Sequence, residues 1–451
     1  MNQQKMTRRE LLKALGFGAA AVSLAACAPA GPPSSGTGDS AASAPSTANK
    51  TMSIATYAIP FHDWQRHWAR EWAAQHPDVD LEVLEIVYDE MPKKQLSMLA
   101  TDSLWDVVYS GIKWFPYSAV SGAFLPLDDY IASTDGLDLS DFFTTALEGC
   151  KVDGVMYGLP YEMHPGNPAL IVYNKTMLEE KGLDLPQDDW TVMDYADLAV
   201  QATDAENAIF GTQYLPGNYY DFANLVRSYG GEILGEDGTR FLFNDSPEGQ
   251  EAARWVYSLR NELNCAPNME ESQGVQFAGG TLATSTLGLY AVLGLRETIA
   301  DKFEYDFSLH PVGPEGQRGY SAFVSIFSAF SGTQYPDEAF DLINTLLSTE
   351  AGVWAVLNPP SYPNPRKSVW NDPKVVEQLP DIFMRALAMM SDDSIPGPFP
   401  MPNNVRFQEL QDTWANTTPD LFYGESSFED GMQFVQDECQ AILDLPRPGI
   451  A

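Results

Sequence analysis

The chain has 451 residues, of which 44% are hydrophobic and 20% are charged, so it has room for two large domains or about three average ones. It carries 26 Lys and Arg against 62 Asp and Glu, which gives a formal net charge of -36. So few basic residues argue against nucleic acid as a partner, because binding to phosphates gains its affinity from counterions released by clustered cations. An anionic membrane surface is disfavoured on the same ground.

The first 26 residues are typical of an export signal. A charged stretch at residues 7–13 (TRRELLK) precedes an apolar run at residues 14–26. That run is too short to cross a bilayer, which needs about 20 apolar residues. The paired arginines resemble a twin-arginine signal, and the sequence Leu-Ala-Ala-Cys that ends at Cys27 resembles a bacterial lipobox. We therefore predict a signal peptide over residues 1–26 and attachment of lipid to Cys27.

The segment after Cys27 is a predicted tether. Of the 23 residues from 28 to 50, 20 are Ala, Gly, Pro, Ser or Thr, and such a segment cannot bury enough apolar surface to offset the entropy of ordering it. Residues 27–50 are thus expected to hold an exported protein at the cell membrane, where it faces the periplasm or the cell exterior. The other cysteines, Cys150, Cys265 and Cys439, allow at most one disulfide.

The chain then alternates between strands and helices. Strands are predicted at residues 52–57, 81–87 and 106–110, and helices at residues 63–76 and 93–101. This βαβαβ order predicts a parallel sheet with helices packed on its faces. Ligands of such sheets bind beyond the carboxyl ends of the strands, so the loops at residues 58–63 and 111–117 are expected to line a site.

A second α/β unit is predicted to begin after residue 160. Its strands are expected at residues 169–173 and 209–215, and its helices at residues 174–181 and after an N-cap at Asp245 or Ser246. A further strand at residues 324–331 and a helix at residues 335–348 precede a C-terminal part, from residue 373, that is mostly helical. The chain is therefore predicted to be an α/β protein with two lobes.

Several short motifs occur in a fixed order along the chain. They are WDVV at residues 105–108, GAFLPLDDYI at 122–131, DGVMYGLP at 153–160, VYNKTML at 172–178 and FAGGTLATSTLGL at 277–289. Over residues 52–443 this set resembles the extracellular solute-binding proteins of ABC sugar importers, the maltose-binding-like family. The resemblance implies a type II periplasmic-binding-protein fold with a multi-crossing hinge near residues 162–168, 308–311 and 358–363. One lobe would comprise residues 51–161 and 309–358, and the other residues 162–308 and 359–445.

The same resemblance implies a function without catalysis or cofactor. A mono- or oligosaccharide would be captured between the lobes by hinge closure and handed to an ABC permease in the membrane, by a protein that acts as a monomer. A site for a carbohydrate needs aromatic rings to cover sugar faces and polar side chains for the hydroxyl groups. No nucleophile motif is found, and the histidines are too sparse to predict a metal site.

Candidate ligand-binding residues lie at predicted strand ends and after the crossings. They are Tyr57, His62, Trp64, Ser110 and Trp114 in the first lobe, Glu162 at a crossing, and Tyr219, Tyr220, Asp221 and Tyr290 in the second lobe, to which the resemblance adds Asn364 and Arg366. For Tyr220 and Tyr290 the competing interpretation is ordinary packing. For Glu162 and Arg366 it is a salt bridge between the lobes.

Two other functions stay open. The same fold could bind a polyamine, a peptide or a glycerol phosphate, and the acidic composition favours a polyamine among these. Alternatively, the chain could be a membrane-anchored glycoside hydrolase, which would need two carboxylates about 5 to 10 Å apart across a cleft.

Overall fold

The computed structural model describes residues 49–58, 62–165, 169–358, 364–391, 399–402 and 404–448. The predicted signal peptide, Cys27 and nearly all of the predicted tether lie outside these ranges. Strand β1 begins at Lys50, the residue that the prediction made the last of the tether. In the part of the chain that is described, no helix is both long and apolar enough to span a membrane.

The first sheet has the strand order β2-β1-β3-β10-β6. The strands are β1 (Lys50–Tyr57), β2 (Val79–Ile86), β3 (Val107–Gly111), β6 (Leu159–Pro165) and β10 (Ala322–Ala329). Strand β1 pairs in parallel with β2 and β3, as the βαβαβ pattern predicts, whereas β10 runs antiparallel to both β3 and β6. The carboxyl ends of β1, β2 and β3 therefore meet at one edge of this sheet.

The second sheet is antiparallel and has the order β8-β7-β9. Its strands are β7 (Leu170–Asn174), β8 (Thr284–Leu287) and β9 (Tyr305–Leu309), and a separate two-stranded hairpin is formed by β4 (Lys151–Val152) and β5 (Val155–Met156). The chain leaves the first sheet after β6 and returns to it at β10. We call the first sheet with its helices the first lobe, and the second sheet with its helices the second lobe.

Helices cover both sheets. They are α1 (Asp63–Gln75), α2 (Met91–Leu99), α3 (Phe115–Val120), α4 (Asp128–Ser133), α5 (Thr144–Glu148), α6 (Lys175–Glu180), α7 (Val192–Ala202), α8 (Tyr219–Ser228), α9 (Pro247–Asn261), α10 (Val292–Ile299), α11 (Pro336–Leu346), α12 (Thr349–Leu357), α13 (Lys367–Trp370), α14 (Pro373–Gln378), α15 (Asp381–Ser391), α16 (Phe407–Phe422) and α17 (Phe428–Leu443).

Local sequence signals fix several helix starts. The Ser246 hydroxyl accepts a hydrogen bond from the backbone N–H of Gly249, as the predicted N-cap of α9 requires. Thr191 and Asp194 form a reciprocal capping box at the start of α7. These bonds satisfy backbone donors that the first turn of a helix leaves unpaired.

Two predictions about the second lobe need correction. Residues 209–215 do not form a strand; the chain there makes only isolated bridges, such as Phe210 with Leu282. The reason is close packing on α7: a Cβ atom at Gly211 would lie 1.9 Å from the carbonyl oxygen of Ala199. In addition, residues 364–378 contact the first lobe, through a bridge between Arg366 and Phe142 and through the packing of α13 and α14 on α12, although the predicted boundary assigned them to the second lobe.

The three cysteines of the described chain, Cys150, Cys265 and Cys439, are buried free thiols. Burial raises the pKa of each thiol, which keeps all three protonated at neutral pH. They are core residues in this structure, and the disulfide that the count allowed is not formed among them.

Candidate ligand-binding site

Aromatic rings gather at the carboxyl edge of the first sheet. The Tyr57 ring, at the end of β1, lies 4.7 Å from the His62 ring, 5.4 Å from the Tyr88 ring and 5.5 Å from the Tyr109 ring, measured between centroids. Tyr161 on β6 extends the group, since its ring lies 5.9 Å from that of His62. These side chains form a continuous aromatic cluster, in which Tyr109, His62 and Tyr161 are buried, at the place where an α/β sheet binds its ligand.

A glycine allows two of these rings to approach the backbone closely. The Tyr88 and Trp114 rings are 4.8 Å apart in an edge-to-face arrangement. A Cβ atom at Gly111, the last residue of β3, would lie 2.3 Å from the Tyr88 hydroxyl oxygen and 2.8 Å from the Trp114 ring. A larger residue there would force one or both rings to move, so glycine at this position allows the observed placement of both rings.

Glu162 lies on β6 with a side chain that is almost wholly buried. Burial raises the pKa of its carboxyl group to about 8, against which a hydrogen bond with Ser325 acts only in part. The negative charge that it acquires above this pH opposes ionisation of Tyr57 and Tyr88 nearby. At neutral pH Glu162 is therefore mostly a protonated acid that can donate as well as accept a hydrogen bond.

The two histidines of this region are neutral. Burial lowers the pKa of His62 to about 3 and that of His164 to about 4. The Nε2 atom of His164 is 3.9 Å from Oε1 of Glu162. Because His164 is uncharged and Glu162 mostly protonated at neutral pH, this contact joins two neutral groups and is not an ion pair.

Lys113 follows β3 in the first lobe and contacts a residue of the second lobe. The Lys113 Nζ atom lies 6.0 Å from the centre of the Tyr88 ring and 5.1 Å from the centre of the Tyr220 ring, in the first turn of α8. Burial lowers the pKa of Lys113, and the carboxylates of Asp221 and Asp89 oppose that effect. Asp221 is itself buried and accepts a hydrogen bond from the Asn218 side chain at 2.7 Å. Residues of both lobes thus meet around one ammonium group, and we call this set, together with the rings above, the cleft cluster.

Three other predicted residues lie in packed surroundings. The Trp64 ring is buried against Tyr161 and Phe327. The Ser110 hydroxyl accepts a hydrogen bond from Gln95 at 3.1 Å. Tyr219 is fully buried, and its hydroxyl donates to the carbonyl of Pro402 at 2.8 Å. Tyr290 lies in the turn Leu289–Ala291, and its side chain lies outside what the structure describes.

Arg366 and Asn364 bind protein groups in the first lobe. The Arg366 guanidinium donates to Asp141 at 2.9 Å and stacks 4.2 Å from the centre of the Phe142 ring. Burial alone would raise the pKa of Asp141, but hydrogen bonds from Ser368 and Arg366 outweigh it and hold the pKa below its usual value. The Asn364 side-chain oxygen accepts a hydrogen bond of 2.9 Å from the backbone N–H of Arg366. None of these contacts involves the cleft cluster.

The structure adds residues that the sequence analysis did not select. Tyr88 is one, and it follows directly on β2, which ends at Ile86. The rule that ligands lie beyond the carboxyl ends of strands could have found it. Tyr109 is another, but it lies inside β3 and carries no such signal; only the tertiary structure brings its ring beside Tyr57.

A separate cavity of about 600 Å³ lies beside α1 and is lined by Arg66, His67, Arg70 and Trp354 among others. The rings of His67 and Trp354 are stacked 4.5 Å apart. The Arg66 guanidinium donates a hydrogen bond to the backbone carbonyl of Tyr57, so this cavity lies next to the end of β1. It shares no lining residue with the cleft cluster.

A cleft cluster of this kind can bind a polar molecule that has apolar faces. Rings supply flat surfaces, while Lys113, Glu162 and Asp221 supply polar groups. Among the described residues no group of three or more His, Cys, Asp or Glu side chains is arranged to hold a metal ion. Two sheets, each with its own helices and with side chains meeting between them, define a two-lobed binding protein of the periplasmic type.

Comparison of sequences identifies the family. The model of the bacterial extracellular solute-binding proteins matches residues 67–383, and the chain belongs to this family. A similar characterised relative is the diacetylchitobiose-binding protein DasA of Streptomyces coelicolor, with 26% identity over 357 residues that cover 76% of this chain and 78% of DasA.

Solved structures agree on the fold. The chain superposes on the ABC substrate-binding protein Lmo0181 of Listeria monocytogenes, in complex with cycloalternan, with a TM-score of 0.73 and 19% identity over 88% of this chain and all of the other. The GacH receptor of Streptomyces glaucescens, studied unliganded and with acarbose, gives a TM-score of 0.70 and 18% identity over 88% of this chain and all of its own. The two-lobed type II periplasmic-binding-protein fold that the resemblance implied is confirmed.

Proposed function

We propose that this protein captures a carbohydrate between its two lobes and delivers it unchanged to an ABC permease. The observation that carries the proposal is the meeting of Lys113 from the first lobe with Tyr220 from the second, beside a cluster of aromatic rings. Rings stack on the weakly apolar faces of sugars, and a few polar groups among them fix orientation. The carbohydrates named for DasA, Lmo0181 and the GacH receptor support this ligand class.

Closure of the lobes is the proposed mechanism. A ligand held on the rings of the first lobe gains contact with Tyr220 only when the lobes approach each other. It therefore stabilises the closed state by its extra affinity for that state. Closure about a hinge needs no partner subunit, so we propose that the protein acts as a monomer and without catalysis.

Among the alternative ligands, a polyamine fits the cleft cluster less well than a sugar does. Lys113 places a positive charge between the two lobes, and a cationic ligand would be repelled by it. The carboxylate of Asp221 already lies beside this charge. The acidic composition of the whole chain does not change this local arrangement.

A thermal-shift screen tests the ligand class. The full chain is heated with monosaccharides, oligosaccharides and polyamines in turn. A true ligand stabilises the folded state by mass action, by about 2.7 kcal/mol at a concentration 100 times Kd, and therefore raises Tm. A shift with carbohydrates supports the proposal. A shift with polyamines alone, or none with a broad carbohydrate panel, refutes it, and release of reducing ends from glycans would favour the glycoside hydrolase instead.

The location of the protein has its own experiment. We propose that a twin-arginine signal exports it and that lipid on Cys27 anchors it to the membrane beside the permease. The substitution Cys27→Ser is expected to move the protein from the membrane fraction to the soluble extracytoplasmic fraction. Membrane retention of the Cys27→Ser protein would refute the lipid anchor but would leave the proposed ligand untouched.

A further inference from the structure

The cavity beside α1 is built by one lobe. Helices α1 and α12 and the ends of β1 and β2 supply its lining residues, and α12 packs against α1. These elements all belong to the first lobe, so a ligand in the cavity does not depend on the approach of the second lobe. The volume of about 600 Å³ lies within the range of about 300–1,000 Å³ that is typical of small-molecule sites.

A stacked aromatic pair forms part of the cavity wall. The His67 ring on α1 and the Trp354 ring on α12 have centroids 4.5 Å apart and are parallel to within 8°. Both residues line the cavity and both are half-buried, so part of the pair is accessible to a ligand there. The weakly apolar face of a sugar ring packs against surfaces of this kind.

Charges of both signs line the rest of the cavity. Arg66 is buried and forms ion pairs with Asp63 and Glu85. Burial lowers the pKa of the Arg66 guanidinium; Glu85 opposes this change, and Arg70, one turn further along α1, adds to it. Arg70 and Glu71 are exposed and form no ion pair or side-chain hydrogen bond with any residue that the structure describes. Both are therefore free to bond with a ligand.

This lining suits a neutral ligand better than an ion. A cation would meet the guanidinium groups of Arg66 and Arg70, and an anion would meet three carboxylates, so part of the wall repels either of them. A hydroxyl group both donates and accepts hydrogen bonds, so it can bond with Arg70 and Glu71 alike. A ring that carries hydroxyl groups around its rim matches the charged and the aromatic parts of the wall together.

We propose that this cavity is a second carbohydrate site, which holds one neutral sugar unit against the His67–Trp354 pair while Arg70 and Glu71 bond with its hydroxyl groups. The inference goes beyond the proposed function, because it places a sugar outside the space between the lobes and takes the ligand class from this cavity alone. The unit has two possible sources. It is either a free saccharide or the end of an oligosaccharide in the cleft cluster, since the cavity lies next to the end of β1.

Fluorine NMR of the full chain labelled with 5-fluorotryptophan tests the site directly. The Trp354 resonance is the one that is missing from the spectrum of the Trp354→Phe protein. Glucose, galactose and mannose are the neutral probes, their 2-amino and uronic acid forms are the charged probes, and glycine betaine is a zwitterion. We expect at least one neutral sugar to shift the Trp354 resonance saturably, and its two charged forms to bind at least about fivefold more weakly.

Two variants with matched controls separate recognition from folding. His67→Ala should weaken the neutral sugar about fivefold at this resonance. His76→Ala is its control, because His76 also stacks on a tryptophan, Trp72, with centroids 4.1 Å apart, but does not line the cavity. Arg70→Ala should weaken the sugar about threefold or more, whereas Arg240→Ala, a surface change in the second lobe, should leave it within the error. Unfolding curves verify that every variant is folded.

The two sources of the sugar unit give different results in the Tyr220→Ala protein. A free saccharide should shift the Trp354 resonance with unchanged affinity, because Tyr220 lies in the second lobe, and calorimetry should give two molecules per chain. The end of a longer ligand should instead require maltotetraose or cellotetraose where maltose and cellobiose fail, and should weaken together with binding in the cleft cluster. Either result supports the second site.

The contrary outcomes are equally distinct. Tighter binding of a charged form or of glycine betaine would refute recognition of a neutral sugar, and equal losses in His67→Ala and His76→Ala would refute the role of the aromatic pair. If carbohydrates bind but none shifts the Trp354 resonance, the inference fails while the proposed function stands. If sugars shift that resonance with the same affinity in Tyr220→Ala and no other binding is detected, the inference stands and the proposed function fails. If no carbohydrate binds at all, both fail.

Discussion

The Lys113 ammonium lies 5.1 Å from the centre of the Tyr220 ring, although Lys113 follows a strand of the first sheet and Tyr220 begins a helix of the second lobe. A cation over an aromatic face contributes about 0.5–2 kcal/mol, depending on how far it is desolvated. The contact is therefore strong enough to favour approach of the lobes and weak enough to reopen.

Tyr220 is expected to contribute its ring and not its hydroxyl. Tyr220→Ala should weaken binding of the carbohydrate ligand by about 1 kcal/mol or more, roughly fivefold, whereas Tyr220→Phe should stay within about twofold. Calorimetry of both proteins measures the difference. Tyr257→Ala, on the outer helix α9, serves as the control. A larger loss in Tyr220→Phe than in Tyr257→Ala would show that the hydroxyl matters.

A side chain at position 111 is expected to destabilise the protein and to disturb the cleft cluster. Gly111→Ala places a methyl group 2.3 Å from the Tyr88 hydroxyl oxygen and should displace the Tyr88 and Trp114 rings. We expect a loss of about 1–3 kcal/mol in the free energy of unfolding and a fall in ligand affinity. Gly294→Ala is the matched control, because a Cβ atom there meets nothing within 4 Å. Equal affinities for the two variants would contradict the role assigned to Gly111.

The buried Glu162 carboxyl should make stability depend on pH. Its pKa is about 8 in the folded protein and near 4.5 when unfolded, so between these values the folded state holds more protons. The contribution of Glu162 to stability must therefore fall as the pH rises from 4.5 to 8. Glu162→Gln removes this contribution, so its stability relative to the unaltered protein should rise over that range, by roughly 2–4 kcal/mol.

Urea unfolding at pH 5 and pH 8 measures this difference. Glu377→Gln is the control, since Glu377 lies exposed on α14. A constant difference between Glu162→Gln and the unaltered protein across the range would mean that Glu162 is ionised throughout, and it would contradict the neutral Glu162–His164 contact described above.

Arg366 should matter for stability and not for the ligand. Arg366→Ala leaves the partly buried Asp141 without its ion-pair partner, which is expected to cost about 1.5–3 kcal/mol of unfolding free energy. Ligand affinity, measured well below Tm, should be unchanged. Arg254→Ala breaks a surface pair with Glu429 and should cost less than about 1 kcal/mol. A loss of affinity with intact stability in Arg366→Ala would restore the role that the family resemblance implied.

Periodicity and capping predicted much of the fold because they are local. The strands at residues 52–57 and 106–110 and the helix capped by Ser246 are found within a few residues of their predicted positions. The strand expected at residues 209–215 failed for a tertiary reason, namely that the chain at Gly211 packs against the end of α7. An apolar run does not reveal which neighbour it will pack on.

The candidate site divides in the same way. Tyr57 ends β1 and Trp114 lies shortly after β3, so the rule on strand ends selects both residues. The structure brings both into the cleft cluster. Arg366 is of a residue type that often contacts ligands, yet its guanidinium pairs with Asp141 and stacks on the Phe142 ring. Residue type does not distinguish a guanidinium that faces a ligand from one that closes a structural ion pair, because both need the same donors.

The sequence by itself determined the alternation of strands and helices, the edge of the sheet where rings would gather, and the family, because these follow from local propensity and from motifs in order. The tertiary structure alone decided that Lys113 would lie against Tyr220, that Glu162 would be buried enough to hold its proton, and that Arg366 would pair with Asp141. Burial and charge proximity depend on segments far apart in the chain, and only their packing sets the distances on which both effects depend.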